Sequence, residues 1–424
     1  MNKQKKYIII TLLLVLCCTL LMSSFVFATD SDIDINSDVA QSIIYQMVQS
    51  INNKDWGTYS ELQLDEYKDS LKDFLLNTDN QQSSIGILSV QSASIKEIKA
   101  LPKAALTGIV DLESYTLKYG DVYSFLVGTT YKVKKESKYF LNGVNYNIIL
   151  VGKENDKWKI VFNGDAPLEV LRPKGYGFNS DDETSSLKVI QEKYKGNIIN
   201  KKGALLSTNK KVSETSTNAK ILEVSAVQSS SVSSFTLQEP AIIAVYHMYG
   251  NSSLTGKADP YYHTTTYPSF DVEYVSDCLP VEVYDSWDIK ALCACALAVK
   301  EYGWYNILHP KTPASTYGAD VVDTVSDQRY EYNSHTLAPN CNNAAILETS
   351  ICIRSSSDNI FNAQYRAGTS GSPGTQYGGV LSQYGTQYLA TTGGYSNAIS
   401  ILRYYYSYSD KSSGDIKIFN VNYP

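Results

Sequence analysis

Segment 287–305 restricts the fold more than any other stretch of the chain, because it reads as one long helix with an apolar stripe. Ile289, Leu292, Cys293, Ala296 and Val299 recur at helical spacing, so other parts of the chain must pack against this element. Ser286 or Asp285 stands where an N-cap is wanted. Cys293 falls on the stripe and reads as core packing, whereas Cys295 lies off it. A strand-like run, residues 241–249, comes earlier, and the sequence CLPVEVYDSW (residues 278–287) reads as a compact turn leading into the helix. Glu282 sits in that turn. A single carboxylic acid at such a junction can be held part desolvated at the lip of a groove, where it serves as a general acid.

The first third has a different pattern. Ala40, Ile43, Ile44, Met47 and Ile51 share one helical face, as do Leu64, Tyr67, Leu71, Phe74 and Leu75. Beyond about residue 87 the spacing changes to that of strands. Two hairpin turns are expected, at Asn142-Gly143 and at Asn155-Asp156. Residues 36–171 are therefore expected to form an α+β domain in which a curved antiparallel sheet wraps helices. Residues 172–236, rich in Lys, Ser, Thr and Asn, read as a solvated connector. Residues 237–424 read as a second α+β domain.

The chain has 424 residues, of which 43% are hydrophobic and 19% charged, enough for two or three domains with cores of their own. Its formal net charge of −6 argues against a nucleic-acid partner, which selects a basic stripe. Tyrosine dominates the aromatics, with 34 Tyr against 11 Phe and 4 Trp. Two readings of that excess are open: half-buried positions on pleated strands, or a surface on which sugar rings stack.

Lys3, Lys5 and Lys6, the apolar run 7–22, Ser23 and Ser24, and then Val26-Phe27-Ala28 have the order of a secretory signal peptide (residues 1–28). The alternative is an uncleaved single-pass anchor, the one route by which this chain would contact a membrane. Either reading places the remainder outside the cytoplasm, secreted or associated with the cell wall. Beyond that segment lie Cys278, Cys293, Cys295, Cys341 and Cys352, an odd number that reads as small buried thiols. His247, His263, His309 and His335 form no standard zinc pattern with them, so neither a metal nor a cofactor is expected.

Four blocks in the last third carry a resemblance. They are CLPVEVYDSWDIKALCACALAVKEY; DTVSDQRY with Thr324, Gln328 and Tyr330; FNAQYRAGTSG (residues 361–371); and Leu381-Ser382-Gln383-Tyr384-Gly385 with the following Gly394-Tyr395 and Ile401-Leu402. In this order they resemble the stage II sporulation protein D and amidase-enhancer (SpoIID/LytB) family, over nearly all of residues 237–424. The helices-then-meander order of residues 36–171 resembles, in pattern only, the cone-shaped domains related to nuclear transport factor 2. A targeting or assembly role is expected for that part.

The SpoIID resemblance implies a peptidoglycan partner, acted on by a lytic transglycosylase or bound by a protein that stimulates a partner cell-wall amidase. Glu282 takes the place of the family's essential acid. Protonated, it would donate to the glycosidic oxygen between N-acetylmuramic acid and N-acetylglucosamine. Ionised, it would take the proton of the muramyl 6-hydroxyl, giving a 1,6-anhydro sugar without consuming water. Gln328, Tyr330, Ser382, Gln383 and Tyr384 are the expected substrate-binding groups lining the groove. For Ser382, Gln383 and Tyr384 a helix-capping role is the alternative. Asp277 and Asp285 either raise the pKa of Glu282 by repulsion or act as solvated caps.

The chain departs from the family pattern where Cys293 and Cys295 replace Lys and Gln, and where Lys300-Glu301 replaces Arg-Thr. Ser326-Asp327 stands where some members bind zinc. These changes favour the alternative of a non-catalytic glycan-binding scaffold; the intact LPVE and LSQYG elements favour the enzyme.

Overall fold

Helix α1 (Ile35–Asn53) buries Ile43, Ile44, Met47 and Ile51 along one face, and α2 (Asp65–Leu76) buries Tyr67, Leu71, Phe74 and Leu75, as their spacing predicts. The computed structural model describes residues 35–210 and 238–420, so the expected leader and the stretch 211–237 lie outside the described residues.

Four strands follow: β1 (Val90–Ala100), β2 (Tyr123–Val133), β3 (Gly143–Glu154) and β4 (Lys157–Asp165), an antiparallel meander paired in sequence order. Bulges at 90–92 and 95–97 of β1, and at 160–162 of β4, bend the sheet. Asn155 and Asp156 turn β3 into β4 with φ of 50° and 60°, the left-handed pair that a tight hairpin turn demands. The other expected turn is displaced. Gly143 already belongs to β3, residues 139–141 are not a strand, and a loop over 134–142 joins β2 to β3. Asn142 closes that loop by accepting from the Val133 N–H at 2.9 Å. The preceding helices lie against the sheet: Asn52 exchanges two 2.7 Å hydrogen bonds with the Ala93 backbone, and the Ile160 N–H donates to the Leu62 carbonyl at 2.8 Å.

The connector expected over 172–236 is structured as far as residue 210. Helix α3 (Asp181–Tyr194) is N-capped by Ser180. In its first turn the buried Glu183 carboxylate accepts from the preceding Phe178 and Asn179 N–H groups at 3.1 and 2.6 Å. Strands β5 (Asn197–Ile199) and β6 (Leu205–Thr208) pair after it. Helix α3 packs on β3, which explains why residues 148–152 are buried without the alternation of a one-sided sheet.

In the last third the 241–249 run contributes only β7 (Val245–Tyr246), flanked by β8 (Thr265–Thr266) and, in parallel, by β9 (Val321–Val322). A π-helical turn, Phe270–Tyr274, leads into α4 (Val275–Glu282). Glu282 is therefore the last residue of a helix rather than part of a turn after a strand. The long helix is α5 (Ile289–Leu308), capped by Asp288, whose side chain accepts from the Lys290 N–H at 2.9 Å. Neither Ser286 nor Asp285 caps it. Nor does it present a stripe: apart from Tyr305, residues 291–308 are buried all round, because α4, α6 (Pro339–Leu347), α7 (Gln383–Thr391) and α8 (Ala398–Tyr406) enclose it. Strand β10 (Ile351–Arg354) pairs with β13 (Lys417–Asn420), and β11 (Tyr365–Arg366) runs parallel to β12 (Leu381–Ser382). The result is an α+β fold. Among the described residues no helix is long and apolar enough to cross a membrane. Cys278, Cys293, Cys295, Cys341 and Cys352 are all free and buried.

The described residues from Gln41 onward form one compact unit. The β4 edge pairs with the loop after α5, through Asp165 N–H to the Pro310 carbonyl at 2.9 Å and Thr312 N–H to the Asn163 carbonyl at 2.7 Å. Phe74 meets Tyr317 edge-on at 4.9 Å, and Tyr317 stacks on Tyr246 at 3.8 Å. Buried Lys193 donates to the Leu308 carbonyl at 3.0 Å. A fragment beginning at residue 237 loses Asn163, Asp165, Phe74 and Lys193 and exposes the apolar surface under them. We expect it to lack a cooperative thermal transition by circular dichroism, whereas the full chain has one. A sharp transition in the fragment would contradict this account.

Candidate active site

Helix α4 stops abruptly after Glu282. Pro280 removes one N–H in its final turn, and Val283 turns extended at φ −139°. The carboxyl group of Glu282 is thereby set at the C-terminal end of the helix, where the helix dipole disfavours a negative charge. The residue as a whole is half-buried.

Three donors hold it. Its Oε1 accepts from the Arg329 backbone N–H at 3.2 Å and from the Tyr365 hydroxyl at 3.2 Å. Its Oε2 accepts from the Gln383 side-chain amide at 2.9 Å. Two of the donors arrive together, because the short parallel ladder sets Tyr365 opposite Leu381 and Arg366 opposite Ser382, with Gln383 following at once. Glycine is required on both sides of this ladder. A Cβ on Gly385 would lie 2.3 Å from the Tyr405 hydroxyl oxygen, and one on Gly368 would lie 1.9 Å from Ser382 Oγ.

Burial raises the Glu282 pKa above the ordinary glutamate value, and the hydrogen bonds from Gln383, Tyr365 and Arg329 only partly oppose it. Repulsion from Asp277 or Asp285 is not the main cause. Asp277 is buried and accepts from His335 Nδ1 at 2.7 Å and from the Asn333 and His335 N–H groups at 3.0 Å each. Asp285 accepts from the Cys341 N–H at 2.8 Å, satisfying the first turn of α6. Both aspartates serve the fold.

The expected groove-lining residues divide. Gln383 touches the acid. Tyr384, half-buried, packs its ring 5.4 Å from that of Trp287 and sets its hydroxyl 3.4 Å from that of Tyr284, which is 60% exposed. These three rings form an open aromatic shelf on the segments that carry Glu282 and Gln383. The other three residues do not line a groove. Ser382 is buried and caps α7 by accepting from the Gly385 N–H at 3.0 Å. Tyr330 is buried between Tyr274, stacked at 5.9 Å, and His247, edge-on at 5.6 Å. Gln328 is buried, accepts from the Tyr274 hydroxyl, and donates to the Val299 carbonyl at 3.1 Å and to Tyr365 Oη at 3.0 Å. Its polar side chain supports the acid from behind.

Tyr365, Arg329, Tyr284 and Trp287 were not singled out as site residues from the sequence. Trp287 and Tyr284 stand close to Glu282 in the chain, so spacing was a usable signal for them. Arg329 acts through its backbone, and Tyr365 through a two-residue strand, neither of which has a side-chain pattern to read.

Of the departures from the family pattern, Cys293, Cys295, Lys300 and Glu301 lie in the core, whereas Ser326 is exposed. Lys300 is buried, donating to the Thr349 carbonyl at 2.7 Å and pairing with Glu239 at 2.6 Å. Cys295 Sγ lies 3.4 Å from Thr386 Oγ1, and burial pushes its thiol pKa up to about 12. Asp327 accepts from Tyr302 at 2.9 Å and pairs with Lys311 at 2.8 Å.

One grouping among the described residues has metal-ligand composition: His247, Asp259 and Asp323, with ligand atoms within 4.8 Å of one another. Each is already engaged. His247 Nδ1 lies 2.7 Å from Asp259 and Nε2 lies 2.8 Å from Thr266, while Asp323 accepts from the Met248 N–H at 2.6 Å. A 2.7 Å contact is a hydrogen bond, shorter than the spacing of about 3.3 Å between two ligands at about 2.0 Å around a tetrahedral ion. The trio braces the loop that follows β7.

The chain matches no family model and no curated protein, so the family resemblance rests on the four sequence blocks themselves.

An acid with a raised folded pKa holds its proton more firmly in the folded than in the unfolded chain. The resulting stability is present at low pH and is lost as pH rises from the ordinary glutamate value through the folded one. Glu282→Gln removes that loss, and Gln383 can turn its amide to match. The variant is expected to melt close to wild type near pH 4 and above it at pH 8. A gap that does not widen with pH would contradict the assignment.

Proposed function

We propose that the chain acts outside the cytoplasm on peptidoglycan glycan strands, as a lytic transglycosylase in which Glu282 is the only acid and base. The observation that carries this reading is a single carboxyl group with a raised pKa, held by three donors and lying beside an exposed aromatic shelf. Glycoside hydrolysis ordinarily uses two carboxylates. Intramolecular attack by the muramyl 6-hydroxyl needs one group that gives a proton and then takes one, and burial suits Glu282 to that exchange. Gln383 and Tyr365 hold the carboxyl through both protonation states. Tyr284, Trp287 and Tyr384 offer ring faces to the apolar faces of the sugars, and the two tyrosines offer hydroxyls to their N-acetyl groups. No bound ion enters the scheme.

The same shelf would serve a scaffold that binds glycan and stimulates a partner amidase, and the two readings separate by product. Denuded glycan strands incubated with the protein are expected to give 1,6-anhydro ends by mass spectrometry. Glu282→Gln should lower that yield by about 10²- to 10⁴-fold, the usual range for a general acid–base, without loss of sedimentation with the strands. Trp287→Ala is expected to weaken sedimentation several-fold while the protein stays folded. Binding with no cleavage by wild type would leave the scaffold reading and overturn the enzymatic one.

A further inference from the structure

Behind Glu282 lies a hydrogen-bond chain whose direction is determined at every link. The Val299 carbonyl can only accept, so the group of Gln328 at 3.1 Å from it must be the amide nitrogen. That choice points the Gln328 carbonyl at the Tyr274 hydroxyl, which has a proton to give. The second N–H of Gln328 reaches Tyr365 Oη at 3.0 Å, and Tyr365, accepting there, turns its own proton to Glu282 Oε1 at 3.2 Å. The Arg329 N–H reaches the same oxygen at 3.2 Å. Both lone pairs of Oε1 are then filled, while Oε2 has one donor, Gln383 at 2.9 Å.

We infer that Gln328 and Tyr365 are positioning residues that fix the polarity of the site, making Oε1 a permanent acceptor and Oε2 the oxygen that gives and takes the catalytic proton. A carboxylic acid has one proton, and it occupies the oxygen with a free lone pair. Oε2 accepts from Gln383, whose chain neighbour Tyr384 belongs to the aromatic shelf, so the proton is held beside the segment that carries the shelf. The arrangement also explains why two buried polar side chains, Gln328 and the Tyr365 hydroxyl, are kept behind a single acid: each has a partner for every proton it presents.

This inference rests on the acid–base role proposed above, and its test separates the two. In the full chain labelled with ¹³C at glutamate carboxyl carbons, Glu282 is assigned by the resonance lost in Glu282→Gln and titrated by NMR. Tyr365→Phe deletes one donor to the ionised form and is expected to raise the Glu282 midpoint by about one to two pH units, the worth of a hydrogen bond to a charged group. Gln328→Glu, equal in size, loses the donation to Tyr365, frees its hydroxyl to turn away, and is expected to shift the midpoint in the same direction. Gln328→Leu removes the link without adding an acid and should reproduce the shift. A Glu282 midpoint unmoved in whichever of these variants fold would overturn the relay. If wild type also releases anhydro ends, the alkaline limb of its rate profile should move up with the midpoint in Tyr365→Phe. If it releases none while the midpoint shifts, the relay stands and the transglycosylase reading fails.

Discussion

The site depends on a carboxyl group being partly withdrawn from water at the end of α4 and then compensated by donors from two other segments. Burial alone would make Glu282 costly. The Arg329 N–H, the Tyr365 hydroxyl and the Gln383 amide reduce that cost without removing it, leaving a group with its pKa raised. These donors stay in place because β11 and β12 pair in parallel and because α7 starts one residue later, capped by Ser382. The residues that look most chemical in the sequence block, Ser382 and Gln383, thus divide their work, one for the helix and one for the acid.

Helix α5 is the scaffold behind this arrangement. With nearly all of 291–308 buried, it fixes α4, α7 and α8 relative to one another, and its Val299 carbonyl orients Gln328. Tyr302, one turn on, sets its ring 6.0 Å from that of Tyr365 and its hydroxyl against Asp327, which pairs with Lys311. Lys311 bridges to Gly164 at the end of β4. The antiparallel sheet of the first part of the chain therefore supports the second layer of the site through a continuous set of contacts, and its loss would be felt at Glu282.

Much of the fold was legible wherever periodicity was strong. The faces of α1 and α2, the Asn155-Asp156 turn and the existence of α5 all follow from spacing. The boundary of α5 did not, since Asp288 competes with Ser286 and Asp285 for the cap and only tertiary geometry decides; Asp285 was taken by α6. Residues 172–210 read as solvated because their charges are many, yet Glu183 and Lys193 are buried against backbone groups that no local pattern reveals. At the site, the position of Glu282 was readable and its surroundings were half readable. The family resemblance implies Gln328 and Tyr330 in a groove, and they are buried because their hydrogen bonds and ring contacts are met inside the fold. Tyr365 lies in the 361–371 block, but its contact with the acid depends on a two-residue strand that leaves no periodic trace.

In the proposed reaction one half-buried acid cleaves glycan by moving a proton from the muramyl 6-hydroxyl to the glycosidic oxygen, with no water consumed. Cleavage of denuded strands in ¹⁸O-labelled water tests it most directly. The account predicts new 1,6-anhydro muramyl ends that contain no ¹⁸O. Reducing ends carrying ¹⁸O, or strands left intact by the wild-type chain, would contradict it.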